Sequence, residues 1–247
     1  FLTGLQNIID VENSLINNPD NIAIKNAEKM CFLDEEIEKL LNMSDENMKE
    51  LRDAEKIYPV YKMVDTCAGE FEAVTPYYYS TFEDKDEVIV TENKKIIIIG
   101  SGPIRIGQGI EFDYCSVHGV WAIKELGYEA IIINNNPETV STDFDTSDKL
   151  YFESLHIDDV MNIIKKEKPY GVILQFGGQT SINLAEKLEK YGVKILGTDF
   201  ESIDLAEDRI KFKEFLNNLD IKSPDGAIAT SYSEALEIVK VLDYPVM

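Results

Sequence analysis

Four consecutive isoleucines, residues 96–99, stand in the stretch "KKIIIIGSGPIRIGQGIEFDY" (94–114) and run into a loop with four glycines. Branched side chains on every residue leave no polar face. Such a run suits a strand covered on both sides, the environment of a parallel sheet. Parallel strands need crossover connections, usually helices, and the next hundred residues supply them. A helix to about Leu126 ends at Gly127, and "YEAIIIN" reads as a second strand. "KLYFE" is a short third strand, and "IDDVMNIIKKEKP" an amphipathic helix with Asp158 and Asp159 early and Pro169 as its stop. "YGVILQF", "TSINLAEKLEKYG" and "VKILG" repeat strand, helix and strand. The fold class is α/β, a doubly wound parallel sheet, in which ligands sit beyond the carboxyl ends of the strands.

The chain before this region reads differently. In "TGLQNIIDVENSLINN", Leu5, Ile8, Ile9, Glu12, Leu15 and Ile16 fall near one helical face. "LDEEIEKLLNMSDENMKELRDAEKIY" reads as two short helices with Ser44 as N-cap of the second. "VYKMV" is the first strand-like piece. "GEFEAVTPYYYSTFEDKDE" reads as an aromatic connecting arm interrupted by Pro76. The last stretch, from Glu201, predicts helix, Pro/Gly break, strand, helix and the start of a strand; it reads as an incomplete domain. The absence of an initiator Met and the apolar close "LDYPVM" suggest a piece of something longer.

The formal net charge of −22 argues against a nucleic-acid partner, which needs a basic face. No apolar run approaches the roughly 18 residues of a membrane span, and the first residues do not resemble a signal peptide. Cys31, Cys67 and Cys115 are too few and too scattered for a disulfide framework, which suggests free thiols in a reducing cytoplasm. His118 and His156 have no partner at ligand spacing, so no metal centre is expected.

Three loops follow successive strands: "GSGPIRIGQG" (100–109), "NNNPETVSTDFDTSD" (134–148) and "FGGQT" (176–180). A parallel sheet would bring all three to one rim. The first fails as a dinucleotide fingerprint, because Arg105 stands where the third glycine belongs and Asn134 and Asn135 replace the acidic ribose ligand. It also fails as a phosphate loop, because Gln108 and Gly109 replace the Lys and Ser/Thr. The Asp-rich second loop misses the calcium pattern at Ser147 and Asp148; Asx and Ser/Thr turns account for its composition. Cys115 with His118 three residues on allows a nucleophilic pair, but a small buried thiol on a core-facing helix is the plainer reading.

The stretch from "IIIIGSGPIRIGQGIEFDYCSVHGVWAIKELGYEAIIINNNPETVSTDFDTSDKLYFE" to "KPYGVILQFGGQT" closely resembles the large chain of carbamoyl-phosphate synthetase, at the start of its second synthetase half. "VYKMVDTCAGEFEAVTPYYYSTFE" resembles the segment before it, and the resemblance covers essentially the whole chain. It implies a partial helical oligomerisation domain over 1–90, a pre-ATP-grasp α/β domain over 91–205 and a truncated ATP-grasp domain over 206–247. It further implies a cytoplasmic ATP-dependent ligase that makes carbamoyl phosphate from bicarbonate, glutamine-derived ammonia and two ATP. Its partners would be a glutaminase small chain and further copies of itself. ATP and Mg or Mn would serve the full-length protein. Their ligands lie beyond Met247 in the family pattern, so neither catalytic residues nor a cofactor are expected in this chain. Gly109 and Glu138 match tunnel-lining positions: a glycine leaves passage, and a carboxylate can hydrogen-bond a migrating acid. Arg105 would attract the anionic intermediate. An assembly module built on residues 1–90, or a nicotinamide-dependent enzyme, are the alternative readings.

Overall fold

The computed structural model describes residues 1–72, 75–103, 111–137, 139–224 and 226–242. The chain divides into two compact units, residues 1–197 and 198–247.

The first unit opens with four helices, α1 (Leu2–Asn17), α2 (Asn21–Lys29), α3 (Asp34–Leu41) and α4 (Asp45–Glu55). Local chemistry sets their starts. Asp20 caps α2 by accepting from the Ala23 N–H at 2.7 Å, and Ser44 caps α4 by accepting from Asn47. Leu15, Ala23, Ile24, Ala27, Ile37, Met48 and Ile57 form their common core. Only Leu15 of the apolar face read in α1 is buried; Leu5, Ile8, Ile9 and Ile16 lie exposed.

The sheet has six strands: β1 (Val60–Met63), β2 (Tyr77–Thr81), β3 (Lys95–Ile99), β4 (Glu129–Asn134), β5 (Lys149–Phe152) and β6 (Gly171–Ile173), in the order β1-β2-β5-β4-β3-β6. All pairings are parallel except β1 with β2. The parallel α/β expectation holds, with one addition. The "YYYST" arm is a strand, because β5 offers it a parallel partner and Tyr78 is buried beside Tyr151, ring centroids 5.7 Å apart.

Every residue of β3 and β4 is buried. One face, Ile96, Ile98, Ala130, Ile132 and Leu150, packs on Val120 and Ile123 of α5 (Glu111–Glu125). Ile97, Ile99, Ile131 and Ile133 on the other face are equally dry. Burying each isoleucine contributes about 1.5–3 kcal/mol relative to exposure. Helices α6 (Ile157–Glu167), α7 (Gly178–Ile182) and α8 (Ala185–Lys190) complete this unit. "VKILG" makes only a bridge, Val172 to Ile195, before Gly197 (φ +92°) turns the chain. Cys115, expected buried, is exposed on α5.

At the amino ends of the strands lies a buried ion network. Glu167, at the end of α6, accepts from Lys95 at 2.7 Å, Lys149 at 2.9 Å and Tyr151 at 2.5 Å. Lys149 also pairs with Glu129 at 3.4 Å. Burial pushes the Glu167 carboxyl up, but the bonds from Lys95, Tyr151 and Lys149 outweigh it and hold the group below its ordinary range.

The second unit carries α9 (Phe200–Glu207), α10 (Arg209–Asn218) and α11 (Tyr232–Leu242). Asp199 and Asp208 cap the first two. No strand follows Pro224 among the described residues: a strand forms by pairing, and they offer it no partner. No described helix is long and apolar enough to cross a membrane.

Candidate functional site

The chain steps from β3 to β4 to β5 in one direction, then returns across β3 to place β6 on its far side. That reversal makes a switch point between β3 and β6, where the loops at their carboxyl ends leave a crevice. The described parts of the three loops singled out by sequence, 100–103, 134–137 with 139–148, and 176–180, share this rim, held by amides, hydroxyls and the Asp113 carboxylate.

Asn134, the last residue of β4, is the hub at 2% exposure. Its Oδ1 accepts from the Gly102 N–H at 2.9 Å and the Asn135 N–H at 3.0 Å, and its Nδ2 donates to Ser141 Oγ at 3.2 Å. One amide thus ties the loop after β3 to the loop after β4. From α5, Asp113 accepts the N–H groups of Ser141 at 3.0 Å and Val140 at 3.2 Å. Thr142 Oγ1 donates to the Asn136 carbonyl at 2.6 Å. Asn135 Oδ1 is buried with no donor among the described residues.

The loop after β6 closes the other side. Ser181 Oγ donates to the Leu174 carbonyl at 2.6 Å. Gly177 touches the β3 loop so closely that a Cβ would lie 2.4 Å from the Gly100 carbonyl oxygen, 2.6 Å from that of Ile99 and 2.1 Å from Ser181 Oγ. The φ of Gly177 is an ordinary −93°, so space alone demands glycine here. Gly177→Ala is expected to cost about 3 kcal/mol, the upper range for overpacking against backbone. Gly4→Ala, which meets nothing within 4 Å, should instead stabilise its helix by up to about 1 kcal/mol. Urea titration of both variants checks the contrast; equal effects would remove the steric argument.

Arg105, Gly109 and Glu138 lie outside the described residues. Of the Asp-rich loop, Asp148 is occupied: it accepts from the Ala130 N–H at 2.8 Å and pairs with Lys124 at 3.1 Å. No three His, Cys, Asp or Glu side chains among the described residues are placed to hold a metal ion. The Lys and Ser/Thr of a phosphate loop are absent from the sequence, where Gln108 and Gly109 stand. The described rim presents backbone, amides, hydroxyls and the Asp113 carboxylate, all able to exchange hydrogen bonds. Sequence reasoning missed Asp113, Ser141 and Ser181. It saw Asn134 only as a replacement for an acidic residue, and the "NNN" closing a buried strand was the available signal.

Residues 92–205 match the family model of the carbamoyl phosphate synthase preATP-grasp domain. The whole chain is 63% identical over 250 residues to the carbamoyl phosphate synthase large chain of Clostridium acetobutylicum, and spans only 24% of that protein. Among solved structures, the biotin carboxylase domain of Hydrogenobacter thermophilus 2-oxoglutarate carboxylase is 20% identical. It covers 63% of this chain and 34% of its own, with a TM-score of 0.46. N5-carboxyaminoimidazole ribonucleotide synthetase from Thermus thermophilus is 18% identical, covering 61% and 37%, with a TM-score of 0.44. Likenesses this low add nothing to the assignment. The sequence match does: this chain is similar throughout its length to about a quarter of a carbamoyl phosphate synthase large chain, and residues 92–205 correspond to the preATP-grasp domain of that family.

Proposed function

We propose that this chain is part of an ATP-dependent ligase that makes carbamoyl phosphate from bicarbonate, glutamine-derived ammonia and two ATP. It belongs to the half that phosphorylates carbamate. The observation that carries this reading is the match over residues 92–205, joined to a switch-point rim built for close approach rather than for acid–base chemistry. In this reading the rim walls the route of the intermediate. Gly109 leaves passage, Glu138 hydrogen-bonds the migrating acid, and Arg105 attracts the anion. ATP with Mg or Mn acts from residues other than the described rim, a glutaminase small chain supplies ammonia, and the exposed apolar face of α1 serves self-association. The chain alone makes no product.

The test uses the full-length large chain with its small chain. Gly109→Phe and Glu138→Lys should each lower carbamoyl phosphate formation at least tenfold while bicarbonate-dependent ATP hydrolysis continues. Unchanged product formation in both would dispose of the tunnel role. Product formation by this 247-residue chain alone would dispose of its dependence on the rest.

A further inference from the structure

Away from the rim, the helical layer meets the α/β layer across a seam with too many carboxyls. A cavity of about 370 Å³ lies there. From the helical side come Glu28 of α2, Asp34 and Glu36 of α3 and Arg52 of α4; from the other side come Glu153 after β5, and His156, Asp158 and Asp159 at the start of α6. Arg52 is the one guanidinium among the described lining residues. It bonds Asp34, sits 3.6 Å from Glu28 Oε1 and donates to the Ile57 carbonyl at 3.2 Å. Glu28 and Arg52 are 8% and 5% exposed, yet Glu28 Oε1 and Arg52 Nη2 lack hydrogen-bond partners among the described residues. The layers are joined across the seam by the Asp34 N–H donating to Asp158 Oδ2 at 3.3 Å, while on the α/β side the Ser80 N–H of β2 donates to Glu153. Ser154 Oγ bonds Asp159.

One guanidinium cannot neutralise five facing carboxyls, Glu28, Asp34, Glu153, Asp158 and Asp159, all of them buried or half-buried. We propose that the seam is a proton-operated latch, closed while some of these carboxyls carry protons and loosened when they ionise.

The titration of the groups agrees with the geometry. Burial pushes Glu28 up to about 8, opposed by Arg52 and assisted by Asp34 and Asp158. Burial likewise lifts Glu153 to about 7, against its bonds from Ser80 and with help from Asp159. Asp158 rises to about 6 through burial and the facing Asp34, and Asp159 rises for the same first reason despite Ser154, His156 and Arg52. A carboxyl whose pKa is higher in the closed seam takes up a proton on closing. Its contribution is therefore complete below the ordinary carboxylate value of 4.5 and is lost as pH rises through about 7 and 8.

Amide hydrogen exchange, corrected for the intrinsic pH dependence of exchange, reads this directly. Between pH 6 and pH 8.5, protection in α2–α4 should fall at least tenfold more than protection in β3 and β4. Glu28→Gln and Glu153→Gln, measured separately, should each shrink that difference several-fold. If α2–α4 and the strands change in parallel in the unmodified chain, the latch is absent, whatever the variants do. A selective loss that persists undiminished in both variants would equally overturn it.

Discussion

Glu167→Ala is expected to lower stability by about 3–5 kcal/mol, the cost of breaking a buried ion pair from one side. The reason lies in what is left behind. Lys95 and Lys149 are buried, and Glu167 accepts from both. Without it, Lys95 keeps no carboxylate partner among the described residues, and Lys149 keeps only Glu129 at 3.4 Å. Tyr151 loses its acceptor at the same time. Chemical denaturation at pH 7 measures the effect. Replacing the set together, with Lys95→Met, Lys149→Met, Glu129→Gln and Glu167→Leu, should recover most of the loss, because neutral groups of similar shape leave no stranded charge. A single variant within about 1 kcal/mol of the parent would mean that the network is solvated and of little weight.

Asn134→Ala should cost about 2–4 kcal/mol, because it removes the acceptor from two backbone N–H groups at once and leaves a small cavity. Its consequence is also local. With the amide gone, nothing described ties Gly102 to the β4 end, and Gly100 loses the side chain against which it packs. Exchange protection should therefore drop at residues 100–102 and around Ser141 before it drops in the strands. Asn134→Asp keeps the acceptor and should retain most of that protection, with Ser141 turning its hydroxyl to donate. Identical losses in both variants would show that amide volume, not acceptance, sets the rim.

Residue type revealed the centre of this fold and hid its outer strand. The isoleucine run of β3 announces burial on both faces, since no polar residue interrupts it. Ser44 announces a helix start because capping needs only a short reach, whereas the Asp20 cap emerged only with the structure. β2 stayed hidden because "YYYST" carries its signal in partners: Leu150 and Tyr151 lie more than seventy residues on. The α1 periodicity correctly gave a helix with an apolar face, but periodicity does not say what covers a face, and Leu5 and Ile9 remain bare. At the site, parallel topology alone brought the described parts of the three loops to one rim. Which groups lock them could not be read, since Asn134 meets a glycine 32 residues away and Asp113 a serine 28 residues away. The seam was equally invisible. Its Asp34–Asp158 contact spans 124 residues, and charge counts do not say which carboxyls face each other.

The position of β2 bears on how this protein can be dissected. β5 pairs with β4 on one side and with β2 on the other, and the Leu150 N–H donates to the Pro76 carbonyl at 2.8 Å. A chain cut after β2 and before residue 92 would keep the whole family-matched region. It would also leave β5 as a naked edge whose backbone groups and Tyr151 ring face water. Open, apolar parallel strands are templates for pairing with other chains. Insolubility of such a cut piece would therefore report an unprotected edge, not an unstable domain, and soluble dissection has to begin before Val60.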